Sequence, residues 1–281
     1  ASAATHLRLS DTSRLSIGAA AILFAAYVGT LAPGVTMWDA GELIAAVRTF
    51  GIPHQPGTPL YVLLARAWSL ALPFAGVAFA TNLFSALCTA LAAGALAVLV
   101  VRATRSEPMA MAGALCAGGM FTVWSSATET EVYASALLLV MLALLAAERA
   151  GRTGDVRWRA ATAYALALAV PLHISALVAA PAAVVLVAER EDGTVDWLSG
   201  ARLVAVVLFA TWRPLRVLIG SPIFGVALAA SSVLPAHGVA VNQYLLDSVT
   251  YAITLVALVV LARTGSAEAP EALRRALANS S

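Results

Sequence analysis

Apolar runs of about 18 to 25 residues, each long enough to cross a hydrocarbon layer of roughly 30 Å, follow one another along the chain. Nothing else in the sequence constrains the fold as tightly. A water-soluble domain of 281 residues must cover its surface with polar side chains, yet 61% of these residues are hydrophobic and 11% charged, against roughly 25% charged in an average soluble domain. The fold class this dictates is all-α, a polytopic transmembrane helix bundle.

The runs place spans at residues 15–31, 77–101, 109–124, 132–147, 160–188, 203–212, 217–234 and 245–261, about 8 to 9 in all. The uncertain parity lies in 160–188. That stretch forms either one long helix kinked at Pro171 or two short helices meeting near His173. The first run follows Arg8 and Arg14 and reads as a retained anchor, since Leu31-Ala32-Pro33-Gly34 is a poor cleavage site. The expected organisation is a cytoplasmic segment 1–14, a transmembrane domain 15–263 with an external loop 33–76, and a polar tail 264–281. Within the loop, residues 59–73 are apolar but short and interrupted by Arg66, which suggests an interfacial or re-entrant piece.

Arginines set the orientation. Arg8 and Arg14 precede the first span, Arg102 and Arg105 follow the second, and Arg149, Arg152, Arg157 and Arg159 follow the fourth, so these segments face the cytoplasm. The loop 33–76 and the link 124–131 then share the opposite face. The alanine-rich composition suggests a GC-rich bacterial genome, and a bacterial cytoplasmic membrane as the location.

A net charge of +2 gives no polyanion-binding surface, so nucleic acid is not an expected partner, whereas membrane lipids are. Cys88 and Cys116 lie inside apolar runs and read as small buried residues rather than a disulfide or a catalytic thiol. No metal site and no bound cofactor are expected, with a metal requirement left open.

The segment Met37-Trp38-Asp39-Ala40-Gly41-Glu42 sets two carboxylates three residues apart, on one face if helical. Next to a membrane such a pair needs a cation, a hydrogen-bond network or a substrate, and a general base for a hydroxyl is one use. Capping of a short helix by Asp39 is the plainer alternative. The run Gly51-Ile52-Pro53-His54-Gln55-Pro56-Gly57-Thr58-Pro59 is stiffened by three prolines and presents His54, which titrates near neutrality. The link from Trp124 to Tyr133 carries Glu129 and Glu131, for which Arg48, Arg66 or a ligand are possible partners; a solvated loop is the alternative. His173 stands in an apolar stretch, and Arg213 and Arg216 flank Pro214 where a lipid phosphate could be held.

In order, Trp38-Asp39-Ala40-Gly41-Glu42, the run from Gly51 to Tyr61, Asn82-Leu83-Phe84-Ser85-Ala86-Leu87, the run from Trp124 to Tyr133, and Leu172-His173 resemble the bacterial members of the protein O-mannosyltransferase-like membrane family, which has the GT-C glycosyltransferase fold. The match covers about residues 30–188. It implies a GT-C-like N-terminal half and an inverting enzyme that moves a mannose-like sugar from a polyprenyl-phosphate donor to an extracytoplasmic acceptor. Carried over by that resemblance, Asp39 is the base and Glu42 its orienter or a second acid. Trp38, His54, Glu129, Glu131, Tyr133 and His173 bind substrate, and Arg213 and Arg216 bind phosphate. Two departures stand out: Thr58 occupies a position where an aromatic residue is expected, and beyond about Gly200 the family's later loops have no counterpart. Two other classes compete. One is a non-catalytic subunit packed against other membrane proteins through small residues such as Gly113, Gly118 and Gly119. The other is a small-solute transporter, which would need paired broken helices in an inverted repeat.

Overall fold

Inside hydrocarbon every backbone N–H and C=O must find its partner within the segment, so runs rich in alanine and leucine close into helices. The computed structural model describes residues 9–54 and 58–211, with side chains from residue 12 to residue 204. Among these, three helices are long and apolar enough to cross a membrane: α1 (Leu9–Gly29, of which Thr12–Gly29 is the apolar part), α4 (Val77–Thr104) and α7 (Val132–Thr153). The chain is an integral membrane protein. The expected starts at residues 77 and 132 coincide with the helix starts. The far ends of α4 and α7 run beyond the apolar stretch because the polar residues there are paired: Glu148 accepts from Arg102 at 2.6 Å and lies 3.3 Å from Arg152 Nε.

The run expected as a straight span at 109–124 is instead α5 (Glu107–Gly118) and α6 (Phe121–Thr128), bent by 67° and forming at most one broken span. The cause is close packing against α1. A Cβ at Gly118 would stand 2.5 Å from Leu23 Cδ1 and 2.9 Å from the Tyr27 hydroxyl, so a larger residue there would push both side chains aside. Tyr27 donates its hydroxyl to Gly118 O at 2.8 Å, which occupies a carbonyl at the break. Trp124 meets the Tyr27 ring edge-on, 5.0 Å between centroids.

The 160–188 stretch resolves as two helices. α8 (Val156–Leu172) ends at His173, a 3-10 turn (Ile174–Ala179) follows, and α9 (Ala180–Ala188) runs back. The ring of His173 lies 5.0 Å from that of Tyr133 at the start of α7. At the other end of α7, Gly151 packs against the carbonyls of Leu186 and Glu189 with no room for a Cβ, so α9 finishes where α7 finishes. Pro171 sits in the last turn of α8, and the single kinked helix is excluded. α10 (Trp197–Thr211) starts beside the end of α9, with Val184 O 3.0 Å from a Cβ built at Gly200. It contains the described part of the run expected at 203–212. The expected spans 217–234 and 245–261, the tail 264–281, and Arg213 and Arg216 lie outside the described residues.

In the first loop, α2 (Ala40–Thr49) turns Leu43, Ile44, Ala46 and Val47 inward. α3 (Pro59–Ala71) is 13 residues long, about 20 Å, too short to span, as its interrupted sequence suggests. Tyr61, Val62 and Ala65 of α3 pack with Leu43, Val47, Val132 and Leu172 in one buried cluster. That cluster fixes α2 and α3 against the starts of α7 and the end of α8. Among the described residues there is no strand, only an isolated antiparallel bridge between Glu189 and Val195.

Candidate active site

The helices bring the acidic segments to one end of the bundle and the arginine loops to the other. Two attachments hold the acidic end together. Ala32 N–H donates to Thr128 O at 3.0 Å, joining the chain leaving α1 to the end of α6. Deeper in, Asn82 Nδ2 donates to Ala32 O at 2.8 Å and to Gly34 O at 2.9 Å, while its Oδ1 accepts from Thr130 Oγ1 at 2.5 Å. Since Oδ1 only accepts, the Thr130 hydroxyl gives its proton there and accepts in turn from Thr81 Oγ1 at 2.7 Å. Ser85 Oγ accepts from Glu131 N–H at 3.3 Å. Thr81, Asn82, Ser85 and Thr130 are fully buried. A polar group in that position is costly unless satisfied; here all four are, and together they tie both acidic segments to α4.

Asp39 stands at the N-cap of α2, but its side chain makes no capping hydrogen bond, so the capping alternative does not account for it. The residue before it, Trp38, has φ 61°, a left-handed turn that a bulky side chain adopts only under constraint. His54 closes the arrangement. Its backbone N–H donates to Glu42 Oε1 at 2.5 Å, its Nδ1 meets Glu42 Oε2 at 2.8 Å, and its Nε2 stands 3.9 Å from Asp39 Oδ2. All three side chains are about half exposed, at 59% for Asp39, 47% for Glu42 and 51% for His54. Ion pairs this exposed contribute little to stability, which directs attention to their chemistry.

Glu42 holds the His54 ring mainly by their hydrogen bond, raising the His54 pKa above its ordinary value and lowering that of Glu42. The opposite wall carries Glu131, half-buried at the N-cap of α7, whose carboxyl is pushed upward first by burial, then by the negative charges of Asp39 and Glu129. A cleft of about 30 Å3, on the scale of one or two waters, is lined by Asp39, Leu43, Pro53, His54, Thr58, Glu131, Val132, Tyr133 and His173. His173 Nδ1 accepts from Ser175 N–H at 3.3 Å, so in the neutral ring the proton sits on Nε2.

Of the residues singled out in the sequence, Asp39, His54, Glu131, Tyr133 and His173 therefore share one cleft, with Glu42 behind His54. Trp38 is not a wall of it and is 92% exposed. Nor is Glu129, whose carboxylate takes a hydrogen bond from Ser125 at 3.0 Å. Among the described residues no ion pair joins Glu129 or Glu131 to Arg48 or Arg66. None of the described His, Cys, Asp and Glu side chains form a group of three or more placed to hold a metal ion. Thr58, Asn82 and Thr130 belong to the site and carry no ionisable group to mark them; for Asn82 the available signal was its place with Thr81 and Ser85 in the first turns of a largely apolar α4.

The Glu42–His54 pair gives a pH-dependent expectation. A raised histidine pKa favours the folded loop fully below the ordinary histidine value of about 6.5 and loses that contribution as pH rises through the raised pKa. A lowered glutamate pKa acts in the opposite sense, its contribution lost as pH falls through the lowered value. The pair therefore holds the loop between those limits. In Glu42→Gln, the His54 resonance followed by NMR titration should move its midpoint down toward 6.5; an unmoved midpoint would remove Glu42 as the cause.

The geometry defines a class: a membrane-embedded helical protein with a carboxylate-histidine cleft at one end of its bundle. The sequence comparisons then supply the family. Residues 39–195, more than half of the 281, match the model of the protein O-mannosyl-transferase TMEM260 N-terminal domain, and the chain belongs to that family. Mouse protein O-mannosyl-transferase TMEM260 is 34% identical over 137 residues, 47% of this chain. The aligned part is 19% of the mouse protein, so the chain spans about one-fifth of that relative. No solved structure matches.

Proposed function

We propose that the cleft transfers a mannose-like sugar from a polyprenyl-phosphate donor to a hydroxyl acceptor, as a membrane glycosyltransferase with a GT-C-like N-terminal half. The observation that carries this reading is the Asp39 carboxylate, left uncapped at the mouth of the cleft opposite Glu131 in a chain of this family. The name of the mouse relative supports a protein hydroxyl as acceptor. Asp39 takes the proton of the acceptor hydroxyl while the acceptor oxygen bonds to the anomeric carbon, and the bond from that carbon to the phosphate oxygen breaks. The electron pair leaves with the polyprenyl phosphate, and attack from the opposite side inverts the centre. His54, kept cationic to higher pH by Glu42, supplies positive charge toward the departing phosphate. The exposed Met37, Trp38 and Ile52 around the mouth suit a lipid-linked donor arriving from the bilayer. The setting proposed is the outer face of a bacterial cytoplasmic membrane, supported by the arginine distribution and alanine richness; the family includes a mouse protein.

The test is reconstitution of the 281-residue chain in liposomes with polyprenyl-phosphate mannose and a serine- and threonine-bearing peptide. Mannosyl peptide and free polyprenyl phosphate are expected in equal amounts. Absence of both, with other membrane proteins co-purifying, would replace this reading by a non-catalytic subunit.

A further inference from the structure

Thr58 combines three unusual properties. It lines the cleft, and at 5% exposure it is buried. Its Oγ1 has no hydrogen-bond partner among the described residues. Its backbone is left-handed, φ 34° and ψ 53°, a conformation that a β-branched residue rarely adopts. The last two cost stability. An orphaned buried hydroxyl forfeits its hydration, and a strained backbone persists only where the surroundings over-determine it. The following Pro59 opens α3 at its first position and explains why Thr58 is kept out of the right-handed helical region, yet not why a hydroxyl stands here. Valine has almost the same shape without the orphan. Glycine would relieve the strain.

We infer that the Thr58 hydroxyl, which has no partner among the described residues, is a specificity-determining substrate contact that pairs with a hydroxyl of the bound sugar or acceptor. The inference rests on the transferase reading above and adds to it a residue that carries no charge and stands where the resemblance leads one to expect an aromatic ring. The chemistry favours a polar ligand group. A buried donor that pairs only with substrate makes the site reject an analogue lacking that partner far more strongly than an apolar wall could, because the analogue leaves the donor unsatisfied. The neighbours fit such a ligand: Asp39, His54, Glu131 and His173 surround the same small volume and all carry groups that pair with hydroxyls.

Thr58→Val and Thr58→Ser, assayed in liposomes with polyprenyl-phosphate mannose and the peptide, separate a substrate contact from a packing role. Thr58→Val should lower kcat/KM by about 10-fold or more while its melting temperature stays level or rises, since an orphan is removed. Thr58→Ser should retain most of the transfer. The substrate whose KM rises identifies the partner: the donor if the hydroxyl belongs to the hexose, the peptide if it belongs to the acceptor. A Thr58→Val protein with unchanged transfer overturns the inference, and so does one in which transfer and melting temperature fall together. Transfer by the wild type is measured in the same experiment. Its absence would be a failure of the transferase reading, distinct from a wild type that transfers and a variant that matches it.

Discussion

Asp39→Asn should abolish most sugar transfer and leave the protein folded. The carboxylate is 59% exposed, caps nothing, and is 3.9 Å from its nearest cationic partner. Removing its charge thus takes away little structure. What it takes away, among the described residues, is the exposed carboxylate lining the cleft: Glu42 is committed to His54, Glu129 to Ser125, and Glu131 is pushed toward its protonated form by burial. A positioned general base contributes on the order of 10²–10⁴ to rate, and a loss of that size in kcat, with an unchanged melting temperature, is the expected result. Asparagine keeps the shape and can still hydrogen-bond, so donor KM should change little. A variant retaining more than about a tenth of the wild-type kcat would transfer the role of base to another group.

Asn82→Ala should carry the largest structural penalty in the chain's acidic end. The substitution takes the donor from the partly buried carbonyls of Ala32 and Gly34 and leaves the fully buried Thr130 hydroxyl without its acceptor. At about 1 kcal/mol for each orphaned group the cost is about 3 kcal/mol, on the order of a 100-fold shift in the folded-to-unfolded ratio. Asn82→Asp is the sharper variant. It preserves volume but offers no donor to either carbonyl, so it should destabilise at least as much as alanine. Unfolding in mixed micelles measures both. Stabilities equal to wild type would mean that the two acidic segments hold together without the clamp.

The helices were legible where the hydrophobic pattern is unambiguous, and the starts of α4 and α7 follow directly from it. Two features were not. The break between α5 and α6 depends on Tyr27 and Leu23, which lie about 90 residues earlier in sequence; read locally, Gly118 is one more small residue. The reversal at His173 competes with a proline kink because Pro171 suits both. The histidine caps the following 3-10 turn by accepting from Ser175 N–H, and that side-chain hydrogen bond has no periodicity to betray it. The candidate site divides the same way. Charged and polar residues attract attention in an apolar sequence, and five of those singled out do share a cleft, whereas Glu42, Glu129 and Trp38 are not among its walls. The neutral residues that hold the walls or line them, Asn82, Thr130 and Thr58, are distinguished by what they contact across the fold.

The bond from Tyr27 to Gly118 also bears on how the chain is made. A bent span entering lipid exposes a carbonyl at its corner, and lipid offers nothing to satisfy it. Synthesis runs from the N-terminus, so α1 is already in the membrane when residues 107–128 emerge. The corner meets its hydroxyl on arrival, and α1, made before it, serves as a template on which a later, otherwise unfavourable shape is laid down.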